Sequence, residues 1–259
     1  MQVIIVGSGR WANLIGRTLR SLGVKVDIVG QSDSSTISRA HDIDFKDVNF
    51  VVIASATVDH LADLIWVRSN FDGPVFVEKG FDRRIVEKGI SKFIEAPYDN
   101  VYILSQYRFS GVMESLRSCA LRADSASIHF DVQYDLSELL EWVPHIESIY
   151  NFILSKNAFL PIWVDGGYEA ITGDRFSVVA GAERKFEATL IFDNQSFMKV
   201  NFGKTNEIVD SYGCEVELCS FPDEDCVLIQ TNEILCGNLE KFFTFKDYLK
   251  SEKLTLTRR

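Results

Sequence analysis

The amino-terminal part of the chain alternates between short apolar runs and segments in which apolar residues recur at helical spacing. The run Gln2–Val6 is rich in β-branched residues and ends at two glycines, Gly7 and Gly9. A helical pattern follows as far as Gly23, and a second apolar run covers 24–29. A strand, a glycine turn, a helix and a second strand in this order predict the opening of a parallel βαβ unit.

The same alternation continues through the following residues. The pattern predicts strands at 49–54, 74–78 and 101–106 and helices at 58–70 and 83–94. Unbroken apolar runs are typical of strands that helices cover on both faces of a sheet. Residues 1–107 are therefore predicted to form a doubly wound, parallel α/β domain of the Rossmann type that binds a dinucleotide.

Beyond residue 107 the periodicity changes. The pattern predicts, in chain order, a helix at 110–123, a strand at 127–133, a helix at 136–154 and strands at 214–221 and 226–230. Between these segments the apolar residues Phe186, Ala188 and Leu190 occupy alternate positions, which indicates a sheet with one buried face. Residues 108–259 are therefore predicted to form an α+β domain on a largely antiparallel sheet, which serves the substrate and dimerisation.

The first turn has the spacing of a phosphate-binding motif, with Gly7, Gly9 and Ala12 in a Gly-x-Gly-x-x-Ala sequence between a strand and a helix. The first glycine permits a tight turn, the second lets the backbone approach a pyrophosphate, and the alanine allows close helix–strand packing. Free backbone N–H groups at the start of the helix would then hold the phosphates. A glycine turn without a ligand is the alternative. The residues predicted to bind the cofactor here are Gly7, Ser8, Gly9, Arg10, Trp11 and Ala12.

The end of the second predicted strand bears on the choice between NAD and NADP. NAD sites usually place a carboxylate there to accept a hydrogen bond from the ribose 2′-hydroxyl. Here the strand ends at Gly30, Gln31 and Ser32, while Asp27 lies inside the strand. Gln31 and Ser32 are assigned to the cofactor, and Ser32 with Arg10 would tolerate a 2′-phosphate. The sequence therefore favours NADP over NAD and leaves NAD open.

Composition and charge exclude several classes of protein. The chain has 259 residues with 27 Lys plus Arg against 37 Asp plus Glu, a formal net charge of −10. Nucleic-acid binding normally draws on a basic patch, and the sequence has no cluster of Lys and Arg of that kind. No apolar run approaches the roughly 20 residues that span a bilayer. We therefore expect neither a nucleic-acid partner nor a membrane.

Cysteine usage predicts a reducing environment. The 5 cysteines are odd in number and have no Cys-x-x-Cys spacing, so we expect neither a disulfide framework nor a structural metal. The chain also starts with strand-like residues and has no recognisable export signal. These features predict a cytoplasmic protein.

Four further fragments occur in the order of one family. Ser55, Ala56, Thr57 and His60 stand where that family has Thr-Pro-Asn-x-x-His, and Glu78-Lys79-Gly80 stands where it has Glu-Lys-Pro. The sequence Gln106-Tyr107-Arg108-Phe109 matches its Asn-Tyr-Arg-Phe-like signature. The segment from Glu141 to His145 corresponds to its Asp-x-Gly-x-His helix start. Over its whole length the chain therefore resembles the Gfo/Idh/MocA (glucose–fructose oxidoreductase, inositol dehydrogenase) family of NAD(P)-dependent oxidoreductases.

This resemblance implies a catalytic set of a lysine, an acid and a histidine, here Lys79, Glu141 and His145. The chemistry of these residue types, taken without the resemblance, supports part of this set. A histidine titrates near neutrality and suits proton transfer, and an ammonium at a strand end would stabilise an alkoxide. In Glu141 and Val143 the chain departs from the family's Asp and Gly.

Structural roles remain open for these residues. The pair Glu78 and Lys79 would also suit a solvated strand end, and His145 would suit a helix start bonded to backbone. Tyr107 and Arg108 are assigned to the substrate, although an Arg–carboxylate pair would explain them equally well. The motif residues assigned to the cofactor by resemblance are Ser55, Ala56, Thr57, His60, Glu78 and Lys79.

The function expected from this set is hydride transfer between a nicotinamide and a hydroxyl or carbonyl of a sugar-like or other small polar substrate. Two alternatives remain. One is a reductase of an imine or conjugated system on the same fold, and the other is a cofactor-binding protein that has lost turnover and serves in regulation or assembly. Aromatic and aliphatic residues on the free face of the second sheet would favour a homo-oligomer.

Overall fold

The computed structural model describes residues 1–30, 43–79, 98–122, 126–134, 145–146, 148–154, 162–164, 167–169, 175–180, 185–192, 196–202, 206–210, 215–216 and 223–248. The chain divides into two compact units. The first comprises Met1–Ser105 and Val227–Leu249, and the second comprises Gln106–Cys226 and Lys250–Arg259.

The first unit is built on a six-stranded sheet. Its strands are β1 (Gln2–Val6), β2 (Lys25–Val29), β3 (Phe50–Ile53), β4 (Val75–Glu78), β5 (Val101–Leu104) and β14 (Phe243–Thr244). The order across the sheet is β2-β1-β3-β4-β5-β14, with the first five strands parallel and β14 antiparallel to β5. Every residue of β3 and β5 is buried. This agrees with their sequences, which are apolar throughout and do not alternate with polar residues. The predicted doubly wound parallel sheet is confirmed.

Two helices of this unit begin beside the carboxyl ends of strands. Helix α1 (Arg10–Ser21) buries Leu14, Ile15 and Leu19 against the sheet, and α2 (His60–Arg68) follows β3. Gly16 lets α1 approach closely, since a methyl group there would lie 3.2 Å from Ile28 Cδ1. The predicted helix at 83–94 lies outside the described residues. Within the described ranges no helix has the length and apolar character that crossing a membrane requires.

The second unit is built on a largely antiparallel sheet, as predicted. Its strands are β6 (Ala126–Tyr134), β9 (Arg175–Ala180), β10 (Lys185–Phe192), β11 (Phe197–Phe202), β12 (Asn206–Asp210) and β13 (Glu215–Val216). The order is β13-β12-β11-β10-β6-β9, and of the neighbouring pairs β6 and β9 are parallel while the other four are antiparallel. A separate hairpin joins β7 (Ile162–Val164) to β8 (Gly167–Glu169).

One face of this sheet makes the core of the second unit. Phe186, Phe130 and Phe202 pack with residues of helix α3 (Gly111–Arg122) and of the helical residues 148–154. The alternate positions on the other face carry His129, Asp131, Glu187, Thr189 and Lys199, and Lys199 Nζ lies 2.7 Å from Glu187 Oε2. We expected aromatic residues on this face. Phe130, Phe186 and Phe202 lie inward because they fill the space between sheet and helices, while Ile191 and Phe197 share the face of the polar residues. The homo-oligomer stays a prediction.

The segment after residue 222 differs from the sequence prediction. A strand was expected at 226–230, but the residues form helix α4 (Asp223–Cys236). Its buried residues Cys226, Val227, Gln230 and Thr231 recur at helical spacing, and so short an apolar run does not separate a strand from a helix. Residues 227–248 pack with the first unit and add β14 to its sheet. A single cut at residue 107 therefore does not describe the two compact units.

Candidate cofactor site

A cleft of about 630 Å³ lies at the carboxyl ends of the parallel strands. It is lined by the turn between β1 and α1, the ends of β2, β3 and β4, and the start of α2. Across the sheet the strand order turns at β1, with β2 on one side and β3 on the other. In open parallel sheets, ligands bind beyond the carboxyl ends of the strands at such a switch point.

Hydrogen bonds to the backbone fix the turn that follows β1. The Gly7 N–H donates to the Val29 carbonyl at 2.8 Å, and the Ala54 N–H donates to the Val6 carbonyl at 2.8 Å. The side-chain amide of Asn13 donates to the carbonyls of Ser8 and Gly9, both at 2.9 Å. Asn13 was not predicted. An amide in the first turn of a helix that follows a glycine turn is the signal that would have indicated it.

The two positions of the turn, Gly7 and Gly9, are occupied by glycine for different reasons. Gly7 has a φ of +116°, and a methyl group on it would lie 2.4 Å from the Ala54 carbonyl oxygen. Gly9 has a φ of −75°, which any residue adopts, and in the described part of the chain a methyl group on it would meet nothing within 4 Å. The fold therefore requires Gly7, whereas the absence of a side chain at Gly9 keeps open the space in front of the turn.

The start of α1 offers hydrogen-bond donors to this space. Among the described residues no side chain caps the helix at Gly9, and its first turn carries no acidic residue. The first backbone N–H groups of a helix have no partner within the helix, and the helix dipole places partial positive charge there. Ala12 is fully buried, so α1 packs directly on the sheet. The residues present fit the pyrophosphate of a dinucleotide.

The loop after β3 is held by side chains from α2. The Ser55 hydroxyl donates to Asp63 Oδ2 at 2.5 Å, and His60 Nε2 lies 3.0 Å from the Ser55 carbonyl oxygen. Burial raises the pKa of the Asp63 carboxyl, the Ser55 hydrogen bond opposes this only in part, and the neighbouring Asp59 carboxylate raises it further. His60, assigned to the cofactor from the sequence, is 0% exposed and braces the loop that lines the cleft.

Charged side chains line both sides of the cleft. Arg10 lies at the α1 side, Asp59 and Asp63 at the α2 side, and Glu78 at the end of β4. Asp59 and Asp63 were not predicted, although their spacing of one helical turn is the signal that places both on one side of α2. Lys79 directly follows Glu78 and is partly buried, and Thr57 lies between the cleft residue Ala56 and α2.

The strand β2 ends as the sequence analysis expected, as far as it is described. Asp27 lies opposite Ile4 in the sheet, and its Oδ2 accepts a hydrogen bond from Gln2 Nε2 at 3.1 Å. Asp27 therefore does not stand at the carboxyl end of the strand. Gln31 and Ser32 lie outside the described residues, as does Glu141.

The remaining predicted residues belong to the second unit and lie together there. Tyr107 and Arg108 are in a 3-10 turn, Gln106–Phe109, and the Tyr107 ring packs edge-to-face on the His145 ring with 4.9 Å between centroids. His145 is 0% exposed. Arg108 Nη1 donates to the Ser148 carbonyl at 3.0 Å and to Asn151 Oδ1 at 3.4 Å. These contacts join the turn to the helical residues 148–154.

No protein-family model matches the chain, and no curated protein sequence matches it. Solved structures do. The UDP-N-acetylglucosamine 3-dehydrogenase of Acidithiobacillus ferrooxidans is similar at 12% identity and a TM-score of 0.70, over 100% of this chain and 95% of that one. A myo-inositol dehydrogenase of Corynebacterium glutamicum is similar at 12% identity and a TM-score of 0.68, over 98% and 94% of the two chains.

A biliverdin reductase of Synechocystis, solved with biliverdin and NADP+, is similar at 12% identity and a TM-score of 0.65, over 98% of this chain and 96% of that one. The first two neighbours are dehydrogenases of the type that the sequence resembles. At this identity the likenesses show the fold, an α/β unit on a parallel sheet with a second unit on a largely antiparallel sheet. The two-part fold predicted from the sequence is confirmed.

We predict that Gly7→Ala destabilises the fold by at least about 2 kcal/mol, because alanine is strained at this φ and its methyl group would overlap the Ala54 carbonyl. Urea unfolding followed by circular dichroism measures the effect. Gly9→Ala is the matched control and should unfold within about 0.5 kcal/mol of the parent. Equal losses for both variants would contradict the assignment.

We predict that Asp63→Asn leaves the free energy of unfolding at pH 7 equal to or above that of the parent. The variant removes a carboxylate that burial disfavours and keeps an oxygen that accepts the Ser55 hydroxyl. A raised pKa means that the folded state holds the proton more tightly, so the parent loses stability as pH rises through the carboxyl range. The advantage of the variant should therefore shrink toward pH 4 in urea titrations. A variant that is less stable at pH 7 would show that the fold needs this charge.

Proposed function

We propose that the chain is an NAD(P)-dependent oxidoreductase of the Gfo/Idh/MocA type. The single observation that carries the proposal is Gly9, a glycine that neither its backbone angles nor its described neighbours require, at the uncapped start of α1. Its bare backbone faces an open cleft at the switch point of a parallel sheet. This is the arrangement in which a backbone approaches a pyrophosphate.

The first unit would hold the dinucleotide with residues of its described cleft. The backbone of Ser8, Gly9 and Arg10 would bind the pyrophosphate, and Ser55 and Ala56 would border the cofactor on the β3 side. When bound, a nicotinamide cofactor supplies or accepts a hydride. Every other part of the reaction, the binding of substrate and the movement of one proton, falls to side chains of this chain.

For the proton we propose His145, with Lys79 orienting the reacting oxygen and Glu141 assisting either residue. Lys79 follows the end of β4, where ligands of parallel sheets bind. A hydroxyl or carbonyl of a sugar-like molecule is the proposed substrate. The support is the resemblance of the motifs and the names of two structural neighbours, which act on UDP-N-acetylglucosamine and on myo-inositol.

A reductase of an imine or conjugated system is the second candidate. His145 is fully enclosed in the second unit and its ring packs on Tyr107. Such a reaction needs an acid more than a base, and His145 is the candidate for that acid. The biliverdin reductase among the structural neighbours acts on a substrate of the conjugated kind.

Between the two cofactors we propose NADP. Arg10 lines the cleft, and Asp27 is held by Gln2 inside β2 rather than at its end. The cofactor of the biliverdin reductase complex is NADP+. Titrations with NADPH and NADH therefore belong in every experiment on this site.

We predict that Gly9→Ala raises the Kd for NADPH and NADH about tenfold or more, because the new methyl group enters the space through which the pyrophosphate approaches. Enhancement of nicotinamide fluorescence measures binding. Gly23→Asn is the control, since Gly23 has a φ of +79°, which asparagine tolerates, and lies outside the cleft. Parent-like binding by Gly9→Ala would remove the observation on which the proposed function rests.

We predict that Lys79→Met and His145→Asn each lower turnover by 100-fold or more, in line with the usual contribution of a proton-transfer residue of about 10²–10⁴. Absorbance of the nicotinamide reports turnover on panels of sugars, nucleotide sugars and conjugated pigments. Lys46→Met, at an exposed lysine, is the matched control.

The Kd for NADPH of each variant shows that its first unit is intact. Turnover within a few-fold of the parent in Lys79→Met would contradict the catalytic assignment even if His145→Asn fails to fold. Cofactor binding without turnover on any panel would favour the regulatory alternative.

A further inference from the structure

The hydroxyl of Ser55 has one proton, and the structure shows where that proton points. The Ser55 O–H donates to Asp63 Oδ2, and both residues line the cleft. A serine hydroxyl has a single donor and two acceptor lone pairs, whereas an ionised carboxylate only accepts. With its proton held by Asp63, Ser55 therefore presents to the cleft an oxygen that only accepts hydrogen bonds.

The surroundings hold this arrangement in place. His60 is fully buried, and its Nε2 lies 3.0 Å from the Ser55 carbonyl oxygen. This contact fixes the loop that carries Ser55. Asp63 lies within α2, and Asp59 directly precedes that helix and lines the same side of the cleft. The polar side-chain oxygens of Ser55, Asp59 and Asp63 on this side are therefore all acceptors.

The opposite side of the cleft, at the start of α1, offers hydrogen-bond donors instead of acceptors. The first N–H groups of α1 are donors beside a helix dipole, and Arg10 adds a guanidinium. A phosphate has only acceptor oxygens at neutral pH and fits that side. On the Ser55 side its oxygens would meet lone pairs and carboxylates, so a group with hydrogen-bond donors fits there instead.

The strand order indicates which group this is. Strands β2 and β3 lie on the two sides of β1. With the pyrophosphate on α1 at the end of β1, one ribose would extend toward β2 and the other toward β3. In sites of this kind the end of the second strand reads the adenosine ribose. The ribose that reaches Ser55 and Asp63 is then the one that carries the nicotinamide. Its two hydroxyls would donate hydrogen bonds to the acceptor oxygens on this side.

We propose that Asp63, by holding the Ser55 proton, makes Ser55 an acceptor-only subsite for the hydroxyl groups of the nicotinamide-bearing ribose. The inference rests on the proposed function and deepens it. Ser55 is the contact residue of this subsite, and Asp63 is a positioning residue that acts through the Ser55 hydroxyl.

The test compares two probes that differ at this ribose. ADP ends at the pyrophosphate, whereas ADP-ribose adds the second ribose without a nicotinamide. Calorimetry at pH 8, several units above the ordinary pKa of an aspartate, gives the ratio of the Kd for ADP to the Kd for ADP-ribose. At this pH ADP carries one more negative charge than ADP-ribose, so the effect of charge on the ratio is measured with a charge-matched control variant.

In Ser55→Ala we expect the ratio to fall about fivefold or more, with the Kd for ADP within about twofold of the parent. Asp63→Asn should lower the ratio as well, because its amide N–H₂ group adds donors to the subsite. Asp59→Asn is the matched control: it removes one negative charge from the same side of the cleft, and its ratio should fall by less than that of Asp63→Asn.

Three results would overturn the inference. One is an unchanged ratio in both Ser55→Ala and Asp63→Asn while ADP still binds, which leaves the proposed function standing. The second is a fall in Asp59→Asn as large as in Asp63→Asn, since charge alone would then explain it. The third is a parent that binds neither probe at millimolar concentration, which would also overturn the proposed function. Thermal unfolding of each variant confirms that the subsite is compared between folded proteins.

Discussion

The cleft depends on the close approach of two chain segments at the switch point of the sheet. The backbone of Gly7 passes so near the Ala54 carbonyl that the space holds no β-carbon, and Gly7 takes a φ of +116° to do so. This approach directs the chain from β1 into α1 and sets the helix start beside the end of β3. Backbone donors of α1 and side-chain acceptors of α2 thus meet across one narrow opening.

The same approach separates the polarity of the cleft into two sides. The side-chain amide of Asn13 donates to the Ser8 and Gly9 carbonyls and so satisfies two acceptors of the turn. On the α2 side the Ser55 hydroxyl donates its proton to Asp63. The α1 side of the cleft therefore offers hydrogen-bond donors, and the α2 side offers acceptors.

The fold of the first unit was predictable because its signals are local. Apolar runs, glycines at strand ends and helical spacing lie close together in the sequence, and the strand–turn–helix at Gly7 and Gly9 was identified from them. The helix at Asp223–Cys236 was not predicted, since a few apolar residues among acids fit either element until packing decides. Ser55 was assigned from a motif, but its partner Asp63 depends on the direction of two side chains, which spacing alone does not give.

The motif at 106–109 shows that a residue which matches a family motif can serve folding rather than chemistry. Arg108 is buried, donates to the Ser148 carbonyl and lies with Cζ 4.9 Å from the centre of the Phe152 ring, which Arg117 approaches at the same distance. A buried guanidinium is costly unless its N–H groups are bonded, so these contacts hold the turn to the helical residues 148–154. Selection for folding alone would keep such an arginine. The motif therefore supports common architecture, whereas Gly9, which the described fold does not require, supports a bound ligand.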